Sequence, residues 1–240
     1  MTNDCQYRPD SEPRLYCWQN YEDGTRRRGH WDCAKRYHWV EENEDLAYDW
    51  MPMPTIRWLL IAESPPCPRN EDEPPYIYRV IDEDERRPIL EAIVSAFKIA
   101  ANDKLDLGNK TDKLNYMKLT NEAFVMDLSE YPLNRLDKTT REGRRIESEY
   151  GLYLRLLRLL YSYHRKVENI AIVGKAWHES VLVAVNKAGL GHLVRNSVIG
   201  IPFPDQFHFA ECQDSLVEFF DDPAYEKHLP HASIEDNEPS

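Results

Sequence analysis

Trp58-Leu59-Leu60-Ile61-Ala62-Glu63-Ser64-Pro65-Pro66 is the stretch whose reading decides the fold. Five apolar residues run without a break and stop at a proline pair, the pattern of a strand buried on both faces of a sheet. Glu63 stands where that strand should end, and in open parallel sheets the carboxyl ends of strands open into the ligand crevice. Pro65 and Pro66 then block both helix and sheet, because proline has no amide donor and restricts the residue before it. A carboxylate held by a stiff loop at a strand end is a catalytic candidate by position. An exposed acid that merely opens a loop has the same local sequence.

Outward from this strand the pattern repeats. Ala123 to Met126 make a second short buried strand ending at Asp127, so a second carboxylate stands at a strand end. Asn169 to Val173 form a third strand, and Gly174-Lys175-Ala176-Trp177-His178 turn directly into a helix from Glu179 to Ala188. Glycine permits that tight turn and leaves helix-start amides facing the crevice, a natural place for an anion. Val194 to Ile201 read as a fourth strand, left by Pro202-Phe203-Pro204-Asp205-Gln206-Phe207-His208, with a last helix from Cys212 to Phe220. Further helices are expected from Pro88 to Ala101 and from Thr139 or Thr140 to His164, each with an apolar stripe at helical spacing. Residues 102–120 carry little signal. Strands alternating with helices predict a three-layer α/β/α domain around a short, mostly parallel four-stranded sheet.

At 240 residues, one substantial core is expected: an N-terminal extension over residues 1–55 packed on the domain, the α/β domain over 56–222, and an acidic tail over 223–240. The formal net charge of −12 argues against a protein held to nucleic acid by overall charge. The charge is segregated, however. Acids gather in Glu41 to Asp49, Glu71 to Glu85 and the tail, whereas Arg141, Arg144, Arg145, Arg155, Arg158, Arg165 and Lys166 crowd one basic segment. Five cysteines without a CxxC pair suit a reducing interior. No apolar run approaches a membrane span and no signal peptide is visible, so a soluble, cytoplasmic monomer is expected. Cys17, His30, Cys33 and His38 have the residue types of a zinc set but not the order of a familiar finger, and simple packing is the preferred reading; no metal is expected.

The loops resemble a known family. Ala62-Glu63-Ser64-Pro65-Pro66 resembles the Gly-Glu-Ala-Pro-Gly first motif of one branch of the uracil-DNA glycosylase superfamily. The strand and loop from Phe124 to Pro132 look like that family's second strand, whose tip reads the flipped base. Ile201-Pro202-Phe203-Pro204 is similar to its late His-Pro-x-Pro motif. The three motifs span residues 56–220 in the family's order. The departures matter as well. The cysteines do not reproduce the family's iron–sulfur ligands, so no cluster and no cofactor is expected. Ile201 replaces the motif histidine, a role His208 is the candidate to take over, and Asp127 stands where the family usually places asparagine.

The resemblance implies a monofunctional DNA glycosylase acting on duplex DNA with a flipped base. Glu63 would stabilise the cationic sugar or activate water. Asp127 would read the base, with Tyr76 or Tyr78 stacking on it. Ser64, Lys175, His178, Phe203, Arg141, Arg144 and Arg145 would contact phosphate or duplex, with Phe203 or Phe207 as a wedge. An ionised Asp accepts hydrogen bonds only, which suits the amino group of a cytosine-type base, in particular a modified cytosine of the kind some phages carry. A protonated Asp127 would instead restore a uracil-like reading. A binding module of the same fold without chemistry is the other class. A serine hydrolase is disfavoured, since no Gly-x-Ser-x-Gly elbow occurs.

Overall fold

The computed structural model describes residues 16–20, 26–30, 47, 51, 54–64, 76–80, 87–129, 138–195 and 200–221. Its centre is a parallel sheet of three strands, β3 (Thr55–Ala62), β4 (Ala123–Asp127) and β5 (Lys166–Ile172), in the order β4-β3-β5. The apolar stretch that opened the sequence reading is therefore the middle strand. Trp58 to Ala62 are buried, because neighbours pair on both edges and helices cover both faces.

The chain enters β4 through α1 (Pro88–Ala100), then crosses back over β3 to reach β5 through α3 (Lys138–Leu157). Parallel crossovers are right-handed, so these two connections, running in opposite directions across the sheet, put α1 and α3 on opposite faces. Packing agrees with that derivation. Helix α5 (Phe209–Phe220) lies on α1, and α4 (His178–Lys187) lies on α3. On the α1 side Phe97 stacks on Phe220 at 3.8 Å between centroids, and Trp58 meets Phe219 and Phe220 edge-on at 5.1 and 5.2 Å. Each such aromatic pair adds about 1 kcal/mol beyond area burial.

Local sequence explains the helix starts. Pro88 occupies the first turn of α1, where its missing amide costs nothing, with Glu91 near the positive end and Lys98 near the negative end. Asn109 caps α2 (Lys110–Asn115) by accepting from the Asp112 amide at 2.7 Å. This helix, which runs into a π-turn over Tyr116–Thr120, lies in the stretch where periodicity gave no signal. Six residues are too few for an apolar stripe to register.

The expected fourth strand, Val194 to Ile201, is described only at its two ends: Val194 bridges Ile170 and Ile201 bridges Val173, both in parallel sense at the far edge of β5, and residues 196–199 lie outside the described residues. Gly200, with φ of 62°, turns the chain out of extended conformation just before Ile201. The N-terminal extension differs from expectation: β1 (Tyr16–Asn20) and β2 (Arg26–His30) pair antiparallel where no regular structure was expected, since Arg26 to His30 have no apolar alternation. The acidic tail from residue 222 lies outside the described residues.

Candidate active site

The carboxyl ends of β3 and β4 are bonded past the last strand residue. Ala62 pairs with Asp127, the Leu128 amide donates to the Ala62 carbonyl at 2.8 Å, and the Ser129 amide donates to the Glu63 carbonyl at 2.9 Å. Glu63 and Asp127 are thereby fixed as neighbours by backbone hydrogen bonds. On the other edge the Val173 amide donates to the Ile61 carbonyl at 2.9 Å, bringing the Gly174 turn to the same end of the sheet.

Glu63 is buried, and its charge is met by Arg145 of α3. Arg145 donates from Nε at 2.7 Å and from Nη2 at 2.5 Å, both to Oε1. Both bonds fall on one oxygen, so Oε2 has no partner among the described residues. The same guanidinium donates from Nη1 to the Ala176 carbonyl at 3.2 Å and lies 5.5 Å from the Trp177 ring centroid. Charge-assisted bonds and a cation–π contact thus tie the helix, the strand end and the β5 turn together.

Trp177 can lie there only because residue 174 is glycine. Gly174 has φ of 122°, and a Cβ on it would sit 1.7 Å from the Trp177 ring. Phe203, from the loop after the last bridge, meets Trp177 edge-on at 6.0 Å and remains 41 % exposed. His178 follows Trp177 and is buried beside Gly200. Its Nε2 has no hydrogen-bond partner among the described residues.

Asp127 has the most perturbed carboxyl of the site. Its surface is partly open by area, but protein encloses the carboxyl closely enough that burial dominates. Burial raises its pKa from 3.8 to about 7, the charge of Arg155 opposes the shift, and the neighbouring Glu63 charge adds to it. Two carboxylates side by side disfavour double ionisation. Arg155 also donates to the Leu128 carbonyl at 2.8 Å, holding the turn that follows Asp127.

The remaining sequence candidates fall elsewhere. Tyr78 is in the core, stacked on Phe124 at 5.5 Å, and its hydroxyl both donates to the Val125 carbonyl (3.0 Å) and accepts from the Val125 amide (2.7 Å). Burial raises its pKa well above the ordinary value, with Tyr76 and Asp127 contributing. Tyr76, 8 % exposed, meets Tyr78 edge-on, and its carbonyl accepts from the buried Lys110 ammonium. Lys110 also donates to the Arg79 carbonyl, so one lysine holds the whole tyrosine turn. Lys175 points away to an exposed ion pair with Glu211 at 2.8 Å. His208 is bonded to Asp205 at 2.8 Å, and Asp205 also accepts from the Phe207 and His208 amides at the start of α5. His208 therefore serves a helix start, and no contact with Glu63 or Asp127 is among its bonds. Ser64, Arg141 and Arg144 are partly buried, and Phe207 is 80 % exposed.

Cys33 and His38 lie outside the described residues, and so do Pro65 to Pro75 of the loop after Glu63. Among the described residues no cluster of three metal-ligating side chains occurs, and no helix is long and apolar enough to cross a membrane. Sequence reasoning missed Trp177 and the partnership of Arg145 with Glu63. Both sit in segments flagged for charge or for glycine, but nothing local reveals a contact 82 residues away. Comparisons with protein-family models, with curated proteins and with solved structures return no match.

Proposed function

We propose that this protein is a monofunctional DNA glycosylase that hydrolyses the N-glycosidic bond of a flipped pyrimidine, with a cytosine-type or modified cytosine base as its substrate. The observation that carries the reading is the pair of carboxylates at adjacent strand ends, in different electrostatic states. Glu63 is neutralised by Arg145 through one oxygen, while Asp127 carries a pKa raised to about 7. Carboxyls in different surroundings can take different roles in one site.

Breaking the bond develops positive charge on the sugar and negative charge on the base. Glu63 Oε2 faces the sugar or polarises the attacking water, an electrostatic role worth about 3 kcal/mol in comparable sites. Arg145 orients that carboxylate through its two bonds to Oε1. Asp127 reads the base edge: ionised, it accepts from a 4-amino group; protonated, it donates to a 4-oxo group. Its raised pKa favours a second reading beside the first, a uracil-like base taken by the protonated form. Excision of unmodified cytosine from a cell's own DNA would be destructive, so the 4-amino reading implies a base marked by modification, as in phage DNA, and a defensive role.

A gel assay on duplexes carrying uracil, cytosine, 5-hydroxymethylcytosine or its glucosylated form tests this. Alkali-labile sites on a modified cytosine that vanish in Glu63→Gln support the enzyme. Cleavage of uracil alone overturns the cytosine assignment. Binding without cleavage on every substrate overturns the enzyme in favour of a binding module.

A further inference from the structure

The sheet has a second polar end. At the amino ends of β3 and β5, six residues and therefore about 20 Å along the strand from Glu63, a groove of about 900 Å³ opens between Arg57, the start of β5 and the turn around Gly191–Leu193. Among the described residues, Arg57, Arg165, Lys166 and Arg195 line it, against one carboxylate, Glu168. That carboxylate is held by Lys166 at 2.6 Å. In a chain of net charge −12 this is a local reversal of sign. It is also the part of the basic segment that the carboxyl-end site does not use: Arg165 and Lys166 follow the long helix in sequence but emerge at the opposite end of the sheet from Arg145.

The floor of the groove is apolar, with Trp58, Val167, Leu190 and Leu193 among its residues. Asn169, 6 % exposed, ties β5 to β3 beneath the groove, its Nδ2 donating to the Arg57 carbonyl at 3.0 Å. A ligand that fits carries negative charge for the rim and a flat apolar body for the floor.

We propose that this groove is a nucleotide-binding site, separate from the carboxyl-end site: the phosphate sits among Arg165, Lys166 and Arg195, and the base lies against the apolar floor. Concave, mostly apolar volumes of this size with a few convergent polar groups are the usual form of small-ligand sites. The groove shares no lining residue with the site around Glu63.

Calorimetric titration of the full chain with AMP, ribose 5-phosphate and inorganic phosphate tests the assignment. Saturable 1:1 binding of AMP is expected, at least tenfold tighter than either of the other two. It should weaken at least tenfold in Arg165→Glu/Arg195→Glu and in the single, exposed Arg195→Glu, which guards against a folding defect in the double variant. Glu63→Gln should bind AMP as the wild type does. The proposal is overturned by an absence of saturable AMP binding, by AMP binding no tighter than phosphate, or by binding indifferent to both arginine variants. Arg195-dependent binding of a DNA strand without binding of AMP overturns it as well, making the groove a backbone-tracking surface.

Discussion

Replacing Asp127 by asparagine should stabilise the protein, and the gain should depend on pH. In the unfolded chain the carboxyl titrates near 3.8, and in the folded protein near 7. Between those values the native state holds a proton that the unfolded state has lost, so wild-type stability falls as pH rises through the window and levels off above about 7. At 1.36 kcal/mol per pH unit the full cost is at most about 4 kcal/mol, and the remaining solvent contact of Asp127 reduces it towards about 2 kcal/mol. Asparagine has nearly the same shape and no charge to bury. Urea denaturation of wild type and Asp127→Asn at a series of pH values reads the difference directly, because the titration of groups not coupled to residue 127 cancels in the comparison. The expected advantage of the variant is near zero at pH 4, grows through pH 5 and 6, and reaches about 2–4 kcal/mol at pH 8. A pH-independent difference, or a variant less stable than wild type at pH 8, would refute the reasoning, since it would mean that Arg155 compensates the carboxylate fully.

The same titration predicts base preference: in the gel assay the ratio of 4-amino to 4-oxo pyrimidine removal should rise as pH increases through about 7, and this dependence should disappear in Asp127→Asn. Removing Arg145 strands a buried carboxylate, so Arg145→Leu should cost about 3–5 kcal/mol in chemical denaturation. Glu63→Gln/Arg145→Leu should recover most of that loss in the same experiment. Tyr78→Phe should destabilise by about 1–3 kcal/mol, because it leaves both buried backbone groups of Val125, on the edge strand β4, without the hydroxyl that serves them. It should leave the ratio of bases removed unchanged, whereas a change in that ratio would return Tyr78 to the base pocket.

The residues that the sequence marked as polar at strand ends illustrate how far local reading reaches. Glu63 and Asp127 were legible because a charge that terminates an apolar run is a local event, and parallel pairing of two such runs brings the charges together with no further information. Lys175 and His208 carried the same local signal, yet Lys175 is paired with Glu211 and His208 with Asp205. A strand end states where the backbone goes and not which way a long side chain turns. The tyrosines show the converse. Tyr76 and Tyr78 were candidates to stack on a base, but Lys110, from a helix without a periodic stripe, holds their turn, and Tyr78 is buried against β4 with its hydroxyl on Val125.

Local sequence sufficed for the α/β class, for a buried strand at Trp58 to Ala62 and for the two acids that end their strands, because burial on two faces leaves an uninterrupted apolar run. Only the tertiary structure decided what surrounds those acids. The contact of Arg145 with Glu63 spans 82 residues, Arg155 and Asp127 meet across a helix and a strand, and Arg57, Asn169 and Arg195 converge at the far end of the sheet from three separate segments. The physical reason is one of range: apolar periodicity reports how a residue sits relative to its own element, whereas the charge state of a carboxyl depends on which distant cations the packed elements carry to it.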